Sequence, residues 1–277
     1  MRRIEERYIS LLTDFGFKRI FGTKPNKDLL INFLNSLFEG FQVIKDVKYL
    51  NSEHVGDVFA ERKAIFDVYC ENEKGEKFIV EMQNASIFPI CEDAPKGADW
   101  NFKLDHVYIV ALLNFDLEVE AFDKNDINHD VGLLDKKTHK VFNDKLSFKY
   151  VEIAKFDKTE DELVTLYDKW LYVLKNLSRL DERPAALKEK VFTKLFEEAE
   201  IAKFTPTELK EYEDSLKAYR DIKNSIDTAL EKGREEGRAE SKNLKVIQIA
   251  KKMLAAGMDI DTIINMTDLS KSEIEKL

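Results

Sequence analysis

Residues 65–85 read IFDVYCENEKGEKFIVEMQNA, and their reading decides the fold. Side chains alternate along a strand, so Ile79, Glu81 and Gln83 share one face while Phe78, Val80 and Met82 share the other. ENEKGE, between two apolar runs, is a hairpin signal. If Glu73, Lys74 and Gly75 form a three-residue loop with Gly75 left-handed, Asn72 faces Glu76. The same register sets Asp67 opposite Glu81, and the Cβ atoms of such a pair lie ~5 Å apart.

Two carboxylates facing each other repel, and the pair calls for positive charge between them. A divalent ion meets that demand. Mg²⁺, with Mn²⁺ as a substitute, takes oxygen ligands from one or two carboxylates, waters and phosphate oxygens, and it activates water for phosphodiester hydrolysis. Asp67 and Glu81 are the expected ligands, with the Met82 backbone carbonyl as a third. Gln83 is placed to orient the attacking water, although a neutral amide neither replaces a cation nor acts as a general base. The plain alternative is an exposed hairpin with a surface acid on each strand. Phe66 and Val68 flanking Asp67, and the apolar neighbours of Glu81, favour partly buried carboxylates that need a partner.

Outward from this hairpin, 28–38 (DLLINFLNSLF) reads as an amphipathic helix closed by Gly40, and 1–24 as a short helix and turn ended by Pro25, with Phe17, Ile20 and Phe21 at helical spacing. Strands are expected at 42–50, 64–70, 77–84 and 146–156. The almost wholly apolar VYIVALLNF at 107–115 fits a strand covered on both faces. From about 161 the pattern turns helical, with Pro184 and Pro206 as boundaries. EKGREEGRAES then repeats Gly-Arg at four-residue spacing, as an exposed helix or a flexible linker. The tail reads helix, Gly257 turn, short helix, turn, and a final helix capped by Ser270 and Glu273.

The 277 residues suffice for a core of 1–158, a helical region of 159–230 and a tail of 231–277. A net charge of −9 argues against indiscriminate coating of nucleic acid, but metal-holding carboxylates are themselves acidic. Two cysteines, Cys70 and Cys91, with no CxxC, point to neither a disulfide framework nor a zinc site. Without a secretory signal pattern or an 18-residue apolar run, the expected location is the cytoplasm, away from membranes. The four histidines are scattered and read as structural.

Four stretches in order, namely 13–22, 66–85, 88–115 (FPI followed by APKGADWNFKLDHVYIVALLNF) and the Gly-Arg repeat with its helical tail, resemble the PD-(D/E)XK nuclease family transposases, the Rpn family of recombination-promoting nucleases. The resemblance implies an α/β fold: a restriction-endonuclease-like core with a mixed sheet flanked by helices, followed by an all-helical C-terminal region. It implies Mg²⁺-dependent cutting of DNA, with Asp67 and Glu81 as metal ligands and Gln83 in the place of the motif's Lys. Asp14 and Lys18 would lie close to the same site, either in a direct role or as surface charges beside Phe15, Phe17 and Phe21.

The chain departs from the family's pattern after Gln83, where NASIFPI follows almost at once in place of a helix carrying Arg and Tyr. Two function classes are therefore expected: a metal-dependent endonuclease, or a catalytically silent DNA-binding or protein-interaction module on the same scaffold. The tail fits a helix-turn-helix, but Lys271, Glu273, Glu275 and Lys276 are a poor set for reading DNA. An interaction element with Ile260, Ile263, Ile264, Leu269 and Ile274 as its core, making a homo-oligomer through the C-terminal helices, is the preferred reading.

Overall fold

The computed structural model describes residues 6–50, 53–54, 64–65, 67–83, 106–117, 119 and 122–277. In chain order the elements are α1 (Asp14–Phe21), α2 (Lys27–Leu37), β1 (Val47–Tyr49), β2 (Glu53–His54), β3 (Ala64–Ile65), β4 (Val68–Asn72), β5 (Lys77–Gln83), β6 (Val107–Leu113), β7 (Asn128–Leu134), β8 (Val141–Glu152), α3 (Leu166–Asn176), α4 (Lys190–Glu198), α5 (Pro206–Ala255), α6 (Ile260–Thr267) and α7 (Lys271–Ile274). The chain divides into two compact units, Met1–Ile222 and Lys223–Leu277.

In the first unit six strands form a mixed sheet in the order β1-β4-β5-β6-β8-β7, and β2 pairs with β3 apart from it. The β4–β5 hairpin has the expected register: Val68 pairs with Val80 and Glu71 with Lys77. Gly75 has φ +81°, which only glycine adopts without strain. The Asn72 carboxamide oxygen accepts the N–H groups of Lys74 and Glu76 and so pins the loop. β6 runs parallel to both β5 and β8, and its residues 108–113 are buried, as a strand covered on both faces must be.

One face of the sheet, carrying Val68, Cys70, Phe78, Val80, Met82, Tyr108, Val110, Leu112 and Val151, belongs to the main core with α1 to α4. At its centre Trp170 packs against Phe21, Phe33 and Phe192, with ring centroids 5.1–5.6 Å apart. The Trp170 indole N–H donates to Asn32 at 2.8 Å, so the largest buried ring keeps its polar atom satisfied.

Several expected elements differ. The strand at 42–50 shrinks to β1, because the Asn35 side chain takes both the N–H and the C=O of Ile44 and diverts that segment from the ladder. The strand at 64–70 splits into β3 and β4. The break falls at Asp67, whose backbone N–H donates to a Glu81 side-chain oxygen instead of a strand carbonyl. The strand at 146–156 begins earlier, at Val141, and ends at Glu152. β7 is an edge strand whose weak apolar alternation gives no clear signal in the sequence. Of the two readings of the Gly-Arg repeat, the exposed helix is the one the structure shows: the repeat lies inside α5. Good helix formers and the Lys232–Glu236 pair, four residues apart, outweigh its two glycines.

In the second unit the end of α5, α6 and α7 enclose a small core of Ala250, Ile263, Leu269 and Ile274. Gly257 turns the chain at φ +78°, and Ser270 and Glu273 form the expected capping box on α7. Among the described residues no helix is long and apolar enough to cross a membrane.

Candidate active site

The hairpin register, carried one residue beyond Val68–Val80, puts Asp67 opposite Glu81. The two are joined through each other's strands. Asp67 N–H donates to Glu81 Oε1 at 3.2 Å, and Asp67 Oδ2 accepts the Met82 N–H at 2.8 Å. Glu81 is buried, and the Asp67 side chain is only 14% exposed.

Helix α1 brings a cation to this pair. Lys18 Nζ lies 3.6 Å from Asp67 Oδ1 and 2.5 Å from Asp14 Oδ1, one turn earlier on the same helix. Thr13 caps the helix by accepting the Gly16 N–H at 3.1 Å, and Phe17, Ile20 and Phe21 bury the opposite face. Gly16 is required by close packing: a Cβ there would sit 2.1 Å from the Ser10 carbonyl oxygen. The start of α5 holds α1 from the other side, through Ser215 Oγ to the Phe15 N–H and through the Arg19–Glu208 pair at 2.6 Å.

Burial sets the electrostatics. Desolvation raises the Asp67 carboxyl to about 6, against the Met82 N–H and Lys18, which favour its charged form. Desolvation, then the neighbouring Asp67 charge, pushes Glu81 to about 8. Burial alone would depress Lys18, but the Asp14 and Asp67 carboxylates outweigh it and its pKa is raised. At neutral pH the cluster thus holds one fixed ammonium among acids that resist ionising together.

The structure therefore brings Asp14, Lys18, Asp67 and Glu81 together. Gln83 ends β5 opposite Leu113 of β6, while its side chain, like the segment after it on which the expected departure from the family's pattern falls, lies outside the described residues. Among the described residues no three His, Cys, Asp or Glu side chains converge as a metal cluster, so the donor set for an ion is Asp67 and Glu81 with backbone and solvent oxygens. Such a set fits Mg²⁺, which commonly keeps waters and takes only one or two protein carboxylates. Glu81 Oε2 accepts no hydrogen bond among the described residues, and burial is the main cause that raises both carboxyl pKa values.

One further acid at this end of the sheet lies outside the sequence motifs. Glu152, closing β8, is fully buried and accepts from the Leu117 N–H, from Lys155 Nζ at 2.8 Å and from the His129 ring at 2.6 Å. Burial opposes its charge, but Lys155 and its other donors prevail and its pKa is lowered. Its only signal in the sequence is an acid ending an apolar strand, KYVE. Its oxygens are committed to these partners, which makes it a structural ion pair.

A mixed sheet flanked by helices, with paired acids on a central hairpin and a helix supplying a lysine, defines a restriction-endonuclease-like nuclease core followed by helices. The chain belongs to the PD-(D/E)XK nuclease family transposases, whose family model matches residues 11–229. Residues 243–277 match the C-terminal HTH domain of the Rpn/YhgA-like nuclease family. Comparisons with curated proteins and with solved structures gave no match. The preference for an interaction element in the tail gives way to the helix-turn-helix reading: the same apolar residues build that domain's core. A nuclease core and a helix-turn-helix together imply DNA binding.

Proposed function

We propose that this protein is a Mg²⁺-dependent DNA endonuclease of the recombination-promoting, transposase type, working in the cytoplasm. The observation that carries the reading is the buried Asp67–Glu81 pair with Lys18 Nζ 3.6 Å from Asp67. Asp67, Glu81 and the Met82 carbonyl would hold the ion, which supplies charge neutralisation and an activated water when bound. Lys18 stabilises negative charge on the phosphodiester as the P–O bond breaks, standing in for the cation that Gln83, in the place of the motif's Lys, does not provide. Asp14 holds Lys18 protonated and in position. Gln83 orients the water through its amide.

The test is conversion of supercoiled plasmid to nicked and linear forms with Mg²⁺ or Mn²⁺. EDTA stops it, and Asp67→Ala abolishes it. A second reading, a silent DNA-binding module, is favoured by the lack of a three-ligand cluster among the described residues. It predicts binding without cleavage, unchanged by Asp67→Ala. Self-association through the C-terminal helices, where Met266 of α6 and Met258 in the turn before it are exposed, is a further expectation that sedimentation would check.

A further inference from the structure

Between the stretches matched by the nuclease and helix-turn-helix families lie residues 230–242, which neither match covers. In this part of α5 and just beyond it, Arg234, Arg238, Lys242 and Lys245 recur at intervals of four, four and three residues, which puts them on one helix face. All four are exposed, and with Gly237 and Ser241 they line a shallow groove of about 520 Å³. Among the described residues none of the four is in an ion pair, whereas Arg7, Arg19 and Arg220 each pair with a carboxylate. Four unneutralised cations on one face stand out in a chain of net charge −9. Glu236 lies round the helix and is paired with Lys232, while Glu231 and Glu235, each three residues before an arginine, border the stripe without forming an ion pair to it among the described residues.

The glycines give a second, independent observation. Gly233 and Gly237 sit inside a helix, where glycine is weaker than alanine, yet a Cβ at either would meet nothing within 4 Å and neither has a positive φ. Packing within this chain does not require them. A bare backbone beside the cations lets an outside anion approach closely.

We infer that this face of α5 binds the phosphate backbone of duplex DNA, as a contact apart from the cleavage site that runs into the first residues of the helix-turn-helix match at Lys245. The inference rests on DNA being the substrate. At 1.5 Å per residue the stripe is about 16 Å long, while phosphates along one strand follow every ~3.4 Å of helix axis, so the four cations lie alongside roughly six successive phosphates. Phosphate contacts of this kind fix position and carry no sequence preference.

The test is the salt dependence of binding to a labelled duplex, by fluorescence anisotropy with EDTA present so that nothing is cut. The full chain is compared with Arg234→Gln/Arg238→Gln/Lys242→Gln/Lys245→Gln and with the charge-keeping Arg234→Lys/Arg238→Lys, and circular dichroism checks that helicity is retained. Removing four contacts should lower the slope of log K against log salt by about 3 to 4, and the lysine variant should keep it. An unchanged slope in the four-fold variant overturns the inference and leaves the nuclease reading standing. No DNA binding by the unaltered chain overturns both. Tighter binding to anionic lipid vesicles than to DNA, lost in the variant, would reassign the stripe to a membrane surface and overturn it too.

Discussion

Asp67 and Glu81 face each other across the β4–β5 hairpin, and each uses a carboxylate oxygen to accept a backbone N–H from the opposite strand. These bonds hold the acids in place, and burial keeps both reluctant to ionise. Lys18 is the fixed positive charge beside them.

The first consequence is a pH-dependent strain. Glu81 is raised to about 8 and Asp67 to about 6, so the folded chain holds protons that the unfolded chain releases near pH 4. Their contribution to stability is full below the unfolded values and is lost as pH rises through about 6 and then 8. Without divalent ions, Glu81→Gln should stabilise the protein at pH 9, on the order of 3 kcal/mol, and by little at pH 5. Thermal melts at the two pH values check this. An equal effect at both would sink the account of Glu81.

Lys18→Gln removes the cation and leaves three acids together. Cleavage should fall on the order of 10²-fold in kcat, while Mg²⁺ binds no more weakly, because a competing positive charge has gone. Kinetics as a function of Mg²⁺ separate the two effects. An unaltered kcat would place Lys18 outside the chemistry.

Gly16→Ala forces a Cβ into the Ser10 carbonyl, 2.1 Å away, and backbone atoms must move. A loss of about 1–3 kcal/mol is expected, with a drop in cleavage because α1 carries Asp14 and Lys18. Denaturant melts read the first and plasmid assays the second. A variant as stable as the parent would show that the close approach is not maintained in solution.

Trp170→Ala empties the centre of the aromatic cluster and strands the Asn32 oxygen. The expected cost is about 3–5 kcal/mol. Urea unfolding followed by circular dichroism tests it, and a cost below ~1 kcal/mol would mean that the core is held elsewhere.

The hairpin is legible in the sequence because it depends on local rules. Strand alternation and a glycine loop fix the register, and the register alone puts Asp67 opposite Glu81. The double-sided burial of β6 is legible for the same reason, from an unbroken apolar run. What escapes a sequence reading involves competition between distant groups. Asn35 reaching to Ile44 shortens β1, and Glu81 accepting the Asp67 N–H ends a strand that composition would continue. The nearness of Lys18 comes from the family resemblance, since no spacing rule ties 18 to 67. The tail reads as an interaction element because its last helix is poor in cations, whereas the free basic side chains stand before it, on α5.

The central claim is that Asp67 and Glu81 together hold a divalent ion, and proton release on binding tests it most directly. With Glu81 near 8 and Asp67 near 6, most of the population at pH 7 carries one proton in the pair, and a metal must displace it. Calorimetric titration with Mn²⁺ in buffers of different ionisation enthalpy should give about one proton released per ion bound. The release should vanish in Glu81→Gln, and binding should vanish in Asp67→Ala. Mn²⁺ binding that is as tight in Asp67→Ala as in the parent, or that releases no proton, would contradict the account.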